Sequence, residues 1–310
     1  MAATIPRSTR RLEKLAGGPW PFILPGVLLY LALSIYPILY QFYLAMTDMQ
    51  VTSLSSAQWV GLENFAFLFS DSRFLDAIQF TLLFVLITVP VQYTIAFALA
   101  LLVDQKLRGR IVFRLTYILP LAISSLIIGL MWRLLMHESA AGFINALMER
   151  LGIGTIPFFS NPDWARFAIF FVNIWSSVGS TMVFLLGGLQ TIDIEQLEAA
   201  TVDGANAWQR FFLIKLPLMR QISGLALIFM FVGTFGIFEK ILALTFGGPA
   251  NATFTIGFYM FATAFGARGA WGTTAGLLGR AAAMGVVMFG VILVFVLLYL
   301  WLVMFEREEA

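Results

Sequence analysis

Asn173, Ser177 and Ser180 recur at offsets of 0, 4 and 7 in a stretch otherwise rich in Phe and Leu, with Thr181 beside them and Phe184 extending the line. On a helix those offsets share one face. Hydroxyls, an amide and a nearby aromatic ring suit a solute that offers hydroxyl groups and an apolar ring face. The same small polar residues also let helices pack and hydrogen-bond, so each residue taken singly has a packing reading beside the solute-binding one. Thr234 and Phe238, again four apart, make a second candidate pair, with Ser124 and Ser125 behind them. Covalent and metal chemistry find no comparable set. The chain has no cysteine and a single histidine, His137, which excludes thiolate sites and disulfides and leaves little for imidazole chemistry. No nucleophile, base and metal ligands converge, so the chain reads as non-enzymatic, with no catalytic and no metal-binding residue.

Such a stripe needs a scaffold that turns it inward. The 310 residues are 60% hydrophobic and 12% charged, with a mean hydropathy of +0.89, whereas soluble domains are about 25% charged. Lipid is therefore the solvent, and a net charge of +2 gives no footprint for nucleic acid. A helix crosses the hydrocarbon core in about 20 apolar residues. Six stretches qualify, near 22–44, 77–103, 113–136, 166–189, 221–246 and 282–305, giving one transmembrane domain over 22–305 between an arm, 1–21, and a tail, 306–310. Basic residues precede the first apolar run, which exceeds a signal-peptide core and lacks a small-residue cleavage site, so it reads as a retained anchor.

Lys and Arg assign the sides. The arm (Arg7, Arg10, Arg11, Lys14), the loop after span two (Lys106, Arg108, Arg110, Arg114), the segment after span four (Arg210, Lys215, Arg220) and Arg307 hold 12 of the 19 basic residues. The positive-inside rule puts this side, and both termini, in the cytoplasm. Residues 252–279, broken by Gly, Thr and Arg268, read as an external or re-entrant segment rather than a seventh span. Arg133, Glu239 and Lys240 fall near the outer interface, with the adjacent Glu239 and Lys240 diverging into water. His137 reads as solvated, Gln92 as a bond between helices, and Trp20, Trp164, Trp271 and Trp301 as interfacial belt. Pro90 and Pro120 could kink spans two and three. No mid-membrane Asp or Glu accompanies them, which argues against an ion-coupled carrier.

Between spans four and five the chain turns polar, "DIEQLEAATVDGANAWQRFFLIKLP". Asp193 can cap a helix, with Gln196 at capping-box spacing, and Asn206 with Gln209 repeats the pattern for a second helix running to Pro217. Ile194 and Leu197 share a face, while Glu195 and Glu198 sit toward the favourable N-terminal end of the dipole. Gly204 suits the left-handed position that ends a helix, and Ala199 and Ala200 allow close approach. The expected form is a short surface helix, a glycine hinge and a helix re-entering the membrane: a docking knob, or else an ordinary interfacial hairpin.

The segment resembles the EAA loop of binding-protein-dependent ABC importer permeases, whose pattern is EAA, three residues, G, nine residues, I, one residue, LP; Glu198, Ala199, Ala200, Gly204, Ile214, Leu216 and Pro217 match it at every interval. "GGLQTIDIEQLEAATVDGA", which includes Asp203, resembles the carbohydrate and glycerol-phosphate branch, as in the maltose-type permeases. "WVGLENF", "LRGRIVFRLTYILP" and "LTFGGPANAT" extend the likeness along most of the chain.

The resemblance implies an all-α integral membrane protein with the type I importer fold, set in the cell inner membrane. Its EAA loop, 190–220, would carry a coupling helix seated in a cytoplasmic ATPase subunit. It implies two ATP-binding subunits, which use ATP and Mg while this chain binds no cofactor, a second homologous permease completing the pathway, and an extracytoplasmic solute-binding protein. No "GxxxxGK[ST]" phosphate loop occurs in the chain. Span one would wrap the partner permease, and the solute would be a sugar, polyol or glycerol-phosphate. The alternatives are a permease for amino acids or phosphate, and a stand-alone secondary carrier.

Overall fold

In hydrocarbon only structures that satisfy their own backbone survive, which leaves helices for a chain of this composition. The computed structural model describes residues 20–53, 57–105, 109–139, 141–266 and 276–308. The basic arm through Lys14, Lys106, Arg108, Arg268 and Trp271 lie outside those residues. So do the last two residues of the tail. Apart from two isolated bridges, Thr47 with Trp59 and Gln50 with Leu277, the described regular structure is helical.

The elements used below are α1 (Trp20–Leu44), α2 (Glu63–Ser70), α3 (Ser72–Asp104), α4 (Arg110–Ile118), α5 (Ser125–Leu135), α6 (Phe143–Arg150), α7 (Pro162–Leu189) and α8 (Ile194–Val202). They continue with α9 (Ala207–Leu218), α10 (Arg220–Phe235), α11 (Glu239–Leu244), α12 (Ile256–Phe265) and α13 (Leu278–Glu308). Four helices, α1, α3, α7 and α13, are long and apolar enough to cross a membrane unaided, and two bent pairs bring the number to six if each pair is one span. The expected six spans thus have counterparts, but two are not straight. Helix α12, at 10 residues, is too short to span, in keeping with a segment that does not form a seventh crossing.

Span three, expected as one helix over 113–136, bends by 102° between α4 and α5. Pro120 lies in a tight turn, Leu119–Ala122, after which Ile123 is extended. Proline lacks an N–H and its ring collides with the carbonyl four residues earlier, so the helix stops. Pro90 instead sits inside the unbroken α3. Span five, expected over 221–246, ends at Phe235, and a separate short helix, α11, starts at Glu239. Its entry from α9 is bent by 66°. Ahead of Pro217 the helix widens to a π turn, Phe211–Lys215, where the Leu216 N–H donates to the Phe211 carbonyl, five residues back. The same widening, Leu31–Ile35, precedes Pro37 in α1. Widening the turn before the ring relieves the clash without ending the helix.

The chain divides into two compact units, Met1–Phe67 with Thr263–Val286, and Leu68–Ala262 with Val287–Ala310. In the first, Asn64 Nδ2 donates to the Ala45 and Thr47 carbonyls at 2.9 and 2.8 Å, closing the turn after α1. No residue of α1 is buried. In the second, α3 packs along α7 through Ala96, Phe97 and Ala100 against Val178, Met182 and Leu185. A close backbone crossing lies at Gly179, where a Cβ would lie 1.7 Å from the Tyr117 carbonyl oxygen. A Cβ on Gly187 of the same helix meets nothing within 4 Å.

These two glycines make a matched test of the packing. Gly179→Val should destabilise the protein by about 3 kcal/mol, and Gly187→Val by no more than about 0.5 kcal/mol, read from thermal unfolding in detergent.

Candidate functional site

Helix α7 is capped by Asn161, whose side chain accepts from the Asp163 and Trp164 N–H groups, with Pro162 in its first turn. Its 28 residues rise about 1.5 Å each. Along that length Asn173, Ser177, Ser180, Thr181 and Phe184 face a cavity of about 570 Å³, and Thr234 of α10 and Phe238 close it from the other side. All seven candidate pathway residues therefore line one space. Ser125 lines it too, whereas Ser124 is the extended residue that opens α5. Phe184 and Phe229, both exposed, meet edge-on with ring centres 6.0 Å apart. Phe238 stacks on Phe261 at 5.1 Å. The wall thus mixes hydroxyls, amides and aromatic faces.

Gln92 of α3 behaves as the sequence suggested and adds a role in the cavity wall. It is buried, and its Nε2 donates to Thr181 Oγ1 at 2.8 Å and to the Ser177 carbonyl at 3.3 Å. Ser180 Oγ donates back to the Ser177 carbonyl at 2.8 Å. Part of the polar stripe is therefore spent on holding α3 and α7 together, and Thr181 serves both purposes.

Lys240 corrects the expectation of a solvated side chain. It is 9% exposed, and its Nζ donates to Asn173 Oδ1 at 2.8 Å and to Ser177 Oγ at 3.2 Å. The reason is the interruption of span five. Because α10 ends at Phe235 and α11 begins at Glu239, the register restarts, and α11 packs against α5 through Ala243, where a Cβ on Gly129 would lie 2.6 Å from the Ala243 Cβ. That seating turns Lys240 toward the stripe and leaves Glu239 exposed. A helix read as continuous carries no signal of this; the only hint in the sequence is Gly236 just ahead of the pair. His137 is exposed as expected, with Nδ1 2.9 Å from Ser139 Oγ. Trp20, Trp164 and Trp301 are exposed.

The polar segment folds as two helices about a hinge. Asp193 caps α8 by accepting from the Glu195 N–H at 3.2 Å, so the expected box with Gln196 is not made. The second box is complete: the Gln209 N–H donates to Asn206 Oδ1 at 2.9 Å and the Asn206 N–H to Gln209 Oε1 at 2.8 Å. Gly204 has a φ of +84°, the left-handed conformation that side chains disfavour. Arg210 Nη1 donates to Thr201 Oγ1 at 2.5 Å across the hinge, and Lys215 lies 3.8 Å from Asp104 at the end of α3. Glu198, Ala199, Asp203, Gly204, Leu216 and Pro217 are exposed and Ala200 and Ile214 half-buried. The segment also exposes Ile194, Val202 (87%) and Trp208 (72%), apolar area that a polar loop has no internal reason to present.

The family model for the binding-protein-dependent transport system inner membrane component matches residues 106–306. The chain belongs to that family. Among its relatives, the sulfoquinovosyl glycerol transport system permease protein SmoG of Agrobacterium fabrum is 33% identical over 236 residues, 76% of either chain. The trehalose/maltose transport system permease protein MalF of Thermococcus litoralis is 29% identical over 286 residues, 92% of this chain and 93% of that one. A solved bacterial ABC transporter, described as importing the acidic polysaccharide alginate, superposes with a TM-score of 0.78 at 23% identity over 95% of this chain and 96% of its own. The permease thus has the type I ABC importer permease fold, all-helical among the described residues, and is a membrane component of an ABC transporter.

In this permease Asn173→Ala and Ser177→Ala each remove one partner of Lys240 from the cavity wall. Each should raise the KM of solute uptake about tenfold while the purified complex elutes unchanged on size exclusion.

Proposed function

We propose that this permease forms half of the translocation pathway of an ATP-driven, binding-protein-dependent importer for a sugar or a related polyol or glycerol-phosphate solute. The observation that carries the reading is the form of the EAA segment: an exposed helix, a left-handed glycine, and a second helix capped by a full box and carrying exposed apolar residues. Small Ala199 and Ala200 let a groove close over α8, with Glu198 and Asp203 at its rim. The Arg210–Thr201 bond and the box stiffen the joint, so that a push on α8 moves α9 as one piece. The π turn Phe211–Lys215, which holds Ile214 just ahead of Leu216 and Pro217, and the 66° bend pass that movement into α10, whose far end supplies Thr234 to the cavity wall. A cytoplasmic push is thereby linked to the shape of the solute space.

On this reading two ATPase subunits bind ATP and Mg and receive α8, a second permease completes the cavity, and an extracytoplasmic binding protein delivers the solute. The chain itself binds no nucleotide. Its termini face the cytoplasm, with 1–21 and 306–310 as arm and tail, and the exposed face of α1 meets lipid or the partner permease. Carbohydrate as the solute class is supported by the names of the relatives and by the mixture of hydroxyls, amides and aromatic faces around the cavity.

Affinity purification from native membranes should recover a second permease and a nucleotide-binding subunit with ATPase activity. Gly204→Glu should leave the permease in the membrane and abolish ATP-dependent uptake. Recovery of the chain alone, or normal uptake by the variant, would refute the coupling role.

A further inference from the structure

Lys240 is a buried cation in a cavity wall whose remaining residues, one apart, are uncharged. Of the residues lining the cavity only Glu239 also carries a charge, and Glu239 is exposed. Among the described residues no carboxylate stands at ion-pair distance from Lys240; the ion pairs there join Asp71 to Arg73, Asp163 to Arg166 and Asp104 to Lys215. Its partners, Asn173 Oδ1 and Ser177 Oγ, are neutral acceptors. They orient the ammonium and use two of its three N–H donors, but they do not cancel its charge. The adjacent Glu239 acts on the ammonium only from an exposed position and makes no ion pair with it, so much of the cost of holding the charge out of water stands and is offset when an opposite charge arrives.

We infer that the cavity takes a carbohydrate or polyol bearing one anionic group, a carboxylate, phosphate or sulfonate, which pairs with Lys240 Nζ while Ser180, Thr181 and Phe184 meet the neutral part. This rests on the importer reading and narrows its solute class. The geometry assigns the charge to one end of the stripe: Lys240 joins it at Asn173 and Ser177, and the uncharged hydroxyls and the Phe184 ring continue from there along α7. A neutral sugar has no group that answers the ammonium. An anionic one supplies the counter-charge within a site already shaped by two fixed acceptors, so discrimination comes from the charge rather than from ring shape.

The test uses the purified complex in detergent and reads ligand affinity from the concentration dependence of Tm. The probes are D-glucuronate against D-glucose, and glycerol 3-phosphate against glycerol, each pair differing by the anionic group. For the wild type at least one anion should raise Tm and its neutral parent should not. Lys240→Met, which keeps the apolar stem and removes the charge, should weaken binding of that anion by about thirtyfold or more, and Lys240→Arg should retain most of it. The inference is overturned if neutral and anionic probes act alike, if no probe shifts the wild type, or if Lys240→Met binds the anion as the wild type does. ATPase activity of the same preparation, and uptake by Gly204→Glu, read the importer proposal separately, so either can fail without the other.

Discussion

A backbone N–H or C=O without a partner costs several kcal/mol in hydrocarbon. A spanning helix can therefore stop only where protein supplies the missing partner. The interruption after α10 meets that condition. The Ile237 carbonyl, freed where the helix ends, accepts from Thr255 Oγ1 at 2.8 Å, and the Ile256 N–H, at the start of α12, donates to Thr81 Oγ1 at 2.9 Å. Thr255 thus serves the gap between Phe235 and Glu239, and Thr81 the start of α12. Everything distinctive about the cavity wall follows from that release, because it is the restarted register of α11 that points Lys240 at Asn173 and Ser177.

The other bends obey the same rule by different means. Pro120 and the extended residue after it separate α4 from α5, and Gly179 lets the α4 backbone lie against α7 with no side chain between them. Before Pro37 and Pro217 the helix keeps its hydrogen bonds by widening to a π turn. At Pro217 this leaves a joint that is continuous in hydrogen bonding yet bent where it meets α10.

Across this second unit, polar side chains divide into those that hold and those that face the cavity. Gln92, Thr181 and Ser180 are committed to bonds between or within helices, and Asn173 and Ser177 are committed to Lys240. The stripe is thus both a packing device and a lining, and the two readings of its residues are not rivals. In the polar segment the same economy appears: Asn206, Gln209, Arg210 and Thr201 shape the hinge, while Ile194, Val202 and Trp208, the last stacked on Phe212, stay exposed.

Much of this was legible in the sequence because it depends on local chemistry. Span count follows from hydrophobic length, the left-handed Gly204 and the Asn206 box from residues adjacent in the chain, and the common facing of Asn173, Ser177, Ser180 and Phe184 from helical periodicity. The EAA pattern tied these to a family because its intervals are strict. What the sequence could not carry were relations between segments far apart: Thr255 rescuing Ile237, Ala243 seating against Gly129, and Gln92 reaching Thr181. The sequence reads span five as continuous because only the Glu239 and Lys240 pair interrupts its apolar run, and a continuous helix offers Lys240 no partner but water. Only the tertiary structure decides that case, since whether a helix stops within an apolar run depends on who satisfies its open carbonyl, and that partner lies 18 residues further along the chain.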